Sequence, residues 1–313
     1  MKLYLVIPCY NEEAVLPETR ARLTDKMKAL IAAGRIAPDS RIVFVNDGSK
    51  DKTWELISSY HTEDPLISGV CLSRNRGHQN ALLCGLLTVK ELCDATVSMD
   101  ADLQDDINVI DAMLDEYEKG VDVVYGARSS RASDSAFKRF TAEGFYKLMK
   151  AMGAEVVFNS ADCRLLSRRA LDGLAEFGEV NLFLRGMVPM VGYPSSVVYY
   201  ERRERFAGES KYPLKKMLNF AFEGITSLSV KPIRFISGAG ILFLLGSFAA
   251  FVVWLVRLCM GLGFSSAAFL SCLLLLVGGV LTVSVGLVGE YVGKVYLESK
   301  HRPRYIVSEF LNE

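Results

Sequence analysis

Over residues 1–210 the chain alternates short apolar runs with longer amphipathic stretches. Leu3 to Ile7 is a short apolar run ended by Pro8-Cys9-Tyr10-Asn11, and an amphipathic helical pattern follows from Glu12 to Ala33. Arg41 to Val45 reads as a second strand, closed by Asn46-Asp47-Gly48-Ser49, whose Asp and Ser suit a turn and a helix cap. Gly69 to Leu72, Ala95 to Met99 and Val121 to Tyr125 give three more strands, the fourth ending in Asp100-Ala101-Asp102. Strands separated by helices predict an α/β fold with a mostly parallel central sheet, whose ligand lies at the carboxyl ends of the strands. Tyr10/Asn11, Asn46/Asp47, Arg74/Asn75 and Asp100/Asp102 all fall at such ends. One rim therefore collects four polar clusters.

Beyond residue 234 the pattern changes. No charge occurs between Arg234 and Arg257, or between Arg257 and Glu290, and each interval exceeds the roughly 20 apolar residues that cross a bilayer. Two transmembrane helices are expected, at 235–256 and 267–289. Lys215, Lys216, Lys231 and Arg234 precede them and Lys294, Lys300, Arg302 and Arg304 follow, whereas the connecting loop holds only Arg257. That bias places both termini and the domain over 1–210 in the cytoplasm, on a protein integral to the cytoplasmic (inner) membrane. Leu3 to Ile7 is too short for a signal peptide. Residues 213–230 are amphipathic and suit either a helix in the membrane interface or an ordinary connecting helix. The expected organisation is a domain over 1–210, a juxtamembrane segment over 211–234, two spans within 235–290 and a cytoplasmic tail over 291–313. Glycines in both spans permit close helix packing and a homo-oligomer. Gly238-Ala239-Gly240 imitates a dinucleotide fingerprint but lies inside a span and lacks the third glycine.

Composition narrows the class. Half of the 313 residues are apolar, and 36 Lys and Arg balance 36 Asp and Glu. Disorder is excluded, and zero net charge argues against nucleic acid as a partner. Seven cysteines without a CxxC pair or a histidine cluster read as reduced thiols, not a zinc site.

Asp100 and Asp102, one residue apart where the chain leaves a strand, suit a hard divalent cation that also takes phosphate oxygens, although acidic loop pairs are commonly just solvated. Magnesium or manganese fits that chemistry. Arg128, Arg131, Lys138 and Arg139 after the fifth strand, and Arg202, Arg203, Arg205 and Lys211 before the membrane segment, supply a basic counterpart for a diphosphate and a further phosphate. Asp162, flanked by apolar segments, suits a base or an ion-pair partner of Arg164. His78 is read as solvated or capping, and the absence of a GxSxG elbow argues against triad chemistry.

Val6-Ile7-Pro8-Cys9-Tyr10-Asn11-Glu12-Glu13, Asn46 to Ser49 with Asp51 and Thr53, and Asp100 to Asp105 resemble inverting family 2 glycosyltransferases of the GT-A fold. Ser73 to His78, Asp162 to Arg168, Phe183 to Gly186, Gly208 to Tyr212 and the paired spans resemble the polyprenyl-phosphate branch: bactoprenol glucosyltransferases and dolichol-phosphate mannose synthases. The resemblance implies metal-dependent transfer of one sugar from a nucleotide-sugar donor to polyprenyl (undecaprenyl) phosphate. UDP-glucose is the favoured donor and GDP-mannose the alternative. It implies that Pro8, Tyr10, Glu12 and Asp47 hold the nucleoside, and that Asp100, Asp102 and Gln104 bind the metal and donor diphosphate. Arg128, Arg131, Ser135, Arg205 and Lys211 would meet phosphates, and Asp162 and Asp102 would serve catalysis. Cys163 stands where the family often has Phe. A membrane scaffold that merely retains the fold is the non-enzymatic alternative, and the intact acidic positions count against it.

Overall fold

The computed structural model describes residues 1–129, 160–201 and 266–312, with Val252, Val256, Cys259 and Met260. Eight strands form one sheet in the order β7-β5-β6-β4-β1-β2-β3-β8. They are β1 (Leu3–Cys9), β2 (Arg41–Asn46), β3 (Ile67–Leu72), β4 (Ala95–Ser98), β5 (Val123–Arg128), β6 (Ser160–Ser167), β7 (Ser195–Tyr200) and β8 (Val307–Leu311). Helices α1 (Leu16–Ala32), α2 (Thr53–Glu63), α3 (His78–Val89), α4 (Val109–Glu118), α5 (Arg168–Ala175), α6 (Leu184–Met190) and α7 (Ser266–Ser299) accompany them. The pairings β1–β2, β1–β4, β2–β3 and β5–β7 are parallel, and β6 and β8 run against their neighbours.

Every residue of β1 is buried, because helices cover both faces of the sheet. Leu3, Leu5 and Ile7 pack with Leu23, Met27, Ile57 and Met113 of α1, α2 and α4 on one side. Tyr4 and Val6 face the other side, with Leu82, Leu86, Leu171 and Met187 of α3, α5 and α6. This three-layer GT-A-like α/β arrangement agrees with the expected fold class.

The strands read from the sequence all form, with small shifts: β1 continues to Cys9, and β5 runs from Val123 to Arg128 instead of starting at Val121. Three further strands went unread. In β6 the apolar run is interrupted by Asp162 and by Arg164, whose side chain is 2% exposed. In β7, at the sheet edge, most residues are exposed or half-buried, so no apolar run marks it. The third, β8, lies within the expected C-terminal tail; residues 307–311 instead add an edge strand to the main sheet, antiparallel to β3.

Among the described residues one helical stretch, Leu276–Ser299 within α7, is long and apolar enough to cross a membrane. The helix continues past the expected end of the second span to Ser299. The first span, apart from Val252 and Val256, and the juxtamembrane segment lie outside the described residues. Among the described residues, Cys9, Cys71, Cys84, Cys93, Cys163 and Cys259 form no disulfide, and all but Cys71 and Cys259 are buried.

Candidate active site

Because β1, β2, β3 and β4 are parallel, their carboxyl ends share one rim, and the four polar clusters meet there. Antiparallel β6 brings its amino end to the same rim: Ser98 pairs with Arg164, and the Ser98 hydroxyl donates to the Asp162 carbonyl at 2.6 Å. Arg128, the last residue of β5, reaches this rim as well.

The loops after β1 and β2 are knitted together. Asn11 N–H donates to Ser49 Oγ at 3.0 Å, Lys50 N–H to Asn11 Oδ1 at 2.9 Å, and Glu12 N–H to Thr53 Oγ1 at 2.9 Å. Ser49 therefore serves this loop pair, and the helix cap expected of it is not made; Asp51 instead accepts the Thr53 N–H at the start of α2. Asp47 is 2% exposed and accepts the N–H groups of Arg76 and Gly77 at 2.7 and 2.9 Å. Burial raises its pKa, and those two N–H groups oppose the shift. The contact fixes the turn that opens α3, whose first residue is His78. Tyr10 is exposed at the end of β1, and Pro8 lies within that strand.

His78 stands between two carboxylates, its Nε2 3.6 Å from Asp100 Oδ1 and 3.4 Å from Asp162 Oδ2. It is neither simply solvated nor a cap, which corrects the sequence reading. Burial alone would lower its pKa, but the Asp162 contact and the charge of Asp100 raise it to about 9. Asp162 is further held by Arg185, whose Nε and Nη2 donate to its two oxygens at 3.1 Å each, and by Arg164 at 3.0 Å. Burial would raise the Asp162 pKa; Arg185, His78 and Arg164 hold it well below the usual carboxylate range. Of the two roles read from sequence, the ion pair with Arg164 is present. Asp100 moves the opposite way: burial raises its pKa, His78 opposes, and the charges of Asp162 and Asp102 add to the rise.

One ligand atom from each of His78, Asp100 and Asp162 lies within 4.8 Å of the others, a donor set that fits a divalent cation. Asp102 is outside that group; its Oδ1 accepts the Gln104 N–H at 3.2 Å and shapes the loop. Behind this loop the buried Asp105 accepts a 2.5 Å hydrogen bond from the Tyr200 hydroxyl, and its pKa rises to about 6 through burial and the charge of Asp100. The Nε of Arg128 is buried with no hydrogen-bond partner among the described residues. Arg131, Ser135, Arg205 and Lys211 lie outside the described residues. Sequence reasoning gave His78 no part in the chemistry and Arg185 no role, although Ser73 to His78 and Phe183 to Gly186 both stand out as motifs.

An acidic loop at the carboxyl end of β4 thus faces Asp162 of β6 and His78 of α3, and comparison with known proteins decides the family. The model of "Glycosyl transferase family 2" matches residues 4–174. The chain belongs to glycosyl transferase family 2. This glycosyltransferase is 47% identical over 308 residues to "Uncharacterized glycosyltransferase YkoT" of Bacillus subtilis (strain 168), covering 97% of this chain and 90% of that one. It is 38% identical over 311 residues to "Bactoprenol glucosyl transferase" of Shigella phage SfV, covering 98% of both chains. Among solved structures, the mannosyltransferase PcManGT from Pyrobaculum calidifontis aligns over 95% of this chain and 84% of that one, at 15% identity and a TM-score of 0.42.

Proposed function

We propose that this glycosyltransferase moves a single sugar, with inversion, from a nucleotide-sugar donor to the phosphate of a polyprenyl lipid at the cytoplasmic face of the membrane, with UDP-glucose as donor. The observation that carries this reading is the likeness to the phage bactoprenol glucosyl transferase, which extends over 98% of both chains and so includes the membrane segment as well as the catalytic domain. A lipid acceptor also explains why a soluble-type sheet should carry an apolar helix, since a polyprenyl phosphate stays in its bilayer.

The topology supports a paired span. Strand β8 follows α7 and joins the sheet that β1 to β7 build. If α7 crosses the bilayer and the chain returns to the catalytic side at β8, an earlier crossing must lie between residues 201 and 266. The charge-free stretch at 235–256 is the segment suited to it.

In this reading Pro8, Tyr10 and Glu12 line the nucleoside pocket, and Asp47 acts through the Arg76–Gly77 turn it holds. Asp100, with Asp102 and Gln104, would hold Mg²⁺ or Mn²⁺, which when bound supplies positive charge to the leaving diphosphate. Arg128 and Arg131, with Ser135, meet donor phosphates, and Arg205 and Lys211 meet the acceptor phosphate. An oxygen of the lipid phosphate attacks the anomeric carbon from the face opposite the leaving group. The bond from that carbon to the nucleoside diphosphate breaks, and its electron pair leaves with the diphosphate. The nucleophile is already an anion at neutral pH, so no base need remove a proton. Asp162 is accordingly a fixed anion that orients Arg185 and His78, in keeping with its depressed pKa. Alignment of two bound reactants supplies roughly 7–11 kcal/mol at best.

The test is transfer from labelled nucleotide sugars to undecaprenyl phosphate by the purified protein in detergent, with and without chelator. A lipid-extractable product from UDP-glucose, lost on chelation, is expected. Product from GDP-mannose alone would reassign the sugar, and no product from any donor would favour a scaffold.

A further inference from the structure

Near the end of helix α7 an acidic side chain, Glu298, bonds to the sheet-bearing domain, and its placement needs a reason. Glu298 lies in the last turn of α7, where the negative end of the helix dipole disfavours an anion. It also sits near Glu179, whose pKa is raised by burial and by the charge of Glu298. Both of its oxygens are nevertheless engaged: Oε2 accepts the Val180 N–H and Oε1 the Asn181 N–H, each at 2.8 Å. These are charge-assisted bonds to backbone donors that would otherwise lack this partner. On the amino side of the same segment, the Arg304 guanidinium donates to the Phe177 carbonyl.

The segment so held leads directly into α6. Leu184 N–H donates to Gln79 Oε1 at 2.8 Å, next to His78, and the Leu184 carbonyl accepts from Arg164 Nη1 at 3.4 Å. The following residue is Arg185, whose fork grips Asp162. A cavity of about 660 Å³ opens beside the bridge, between Gly178, Asn181 and Met187 on one side and Tyr291 and Lys294 on the other. Side-chain packing therefore does not fill the interface with α7 there: Phe177, Leu182 and Leu184 pack toward the sheet, and the two Glu298 bonds tie the segment to the helix.

We propose that Glu298 is a positioning residue: it transmits the seating of membrane helix α7 through Val180 and Asn181 to Arg185, and so sets the fork on Asp162. The catalytic rim is then in register when the end of the helix is docked. The proposal rests on the lipid-acceptor reading only in making the membrane helix part of the working enzyme.

Amide hydrogen exchange on the full chain in detergent tests the link without reference to any acceptor. In Glu298→Ala, exchange at Val180 and Asn181 should accelerate at least tenfold, and the acceleration should spread to the amides of Leu184 and Arg185. For transfer to undecaprenyl phosphate, kcat should fall at least tenfold while the donor KM stays within twofold, a split that loss of a merely structural anchor does not produce. Glu298→Gln keeps one acceptor oxygen of the same reach and should be intermediate in both measurements; it carries the test if the alanine variant does not fold. Acceleration confined to residues 180 and 181, or unchanged kcat per folded enzyme, overturns the proposal. If the wild-type protein transfers to no acceptor, the function reading fails, and the exchange pattern alone decides the role of Glu298.

Discussion

Two aspartates that look alike in the sequence occupy different electrostatic settings. Asp162 is a countercharge for Arg185, Arg164 and His78, with a side chain only 15% exposed. Asp102 lies outside the His78, Asp100 and Asp162 group and shapes a loop by accepting the Gln104 N–H. Their neutral variants should therefore separate function from stability. Asp102→Ala is expected to lose transfer while keeping its unfolding temperature, because a loop carboxylate contributes to the site more than to the core. Asp162→Asn strands cationic groups in a partly buried place, so it should lose transfer and also about 3–5 kcal/mol of stability. Denaturant unfolding beside turnover measures both, and equal stability losses would contradict the assignment. His78 shows why such settings escape a linear reading. The motif that contains it is visible, but the two carboxylates that raise its pKa to about 9 come from β4 and β6.

Elements were legible where hydrophobic pattern alone specifies them. The buried strands β1 and β2 give nearly continuous apolar runs, and α1 gives a long amphipathic one. By contrast, β6 looks polar because it carries the ion pair of Asp162 and Arg164, and its place between β4 and β5 depends on pairing across the sheet. Turns add a constraint of their own. Gly48 has a φ of +61°, and a Cβ there would lie 2.5 Å from the Asn75 nitrogen and 2.6 Å from the Arg74 carbonyl carbon. Gly48→Ala is thus expected to cost about 1–2 kcal/mol in left-handed backbone strain alone, with a further loss from displacing Arg74 and Asn75. Since that displacement moves the turn held by Asp47, nucleotide affinity should fall as well. Calorimetric titration with UDP checks this, and wild-type affinity with an unchanged melting temperature would refute it.

At the scale of the molecule, the chain leaves the catalytic sheet and returns to it. Four positions of β8 pair with β3, from Leu72 opposite Val307 to Gly69 opposite Leu311, and Phe310 packs against the core on the α3 side. Deleting residues 306–313 should uncover the β3 edge and remove these pairs, at roughly 0.2–1 kcal/mol each, lowering stability by about 1–3 kcal/mol and promoting aggregation. Thermal melts and light scattering of the detergent-solubilised protein report both; a truncated chain as stable and monodisperse as the full one would mean that β8 is dispensable.

Local composition was enough to predict the alternating α/β domain, the shared rim of Tyr10, Asp47, Asp100 and Asp102, and a strongly apolar C-terminal region, because burial and bilayer crossing leave a mark on every few residues. Tertiary structure alone decided that Arg185 clasps Asp162, that His78 lies between Asp100 and Asp162, and that Glu298 and β8 join the apolar helix α7 and the chain after it to the sheet. Those contacts join residues from 22 to more than 200 positions apart, and a charge carries no trace in the sequence of the distant partner that will neutralise it.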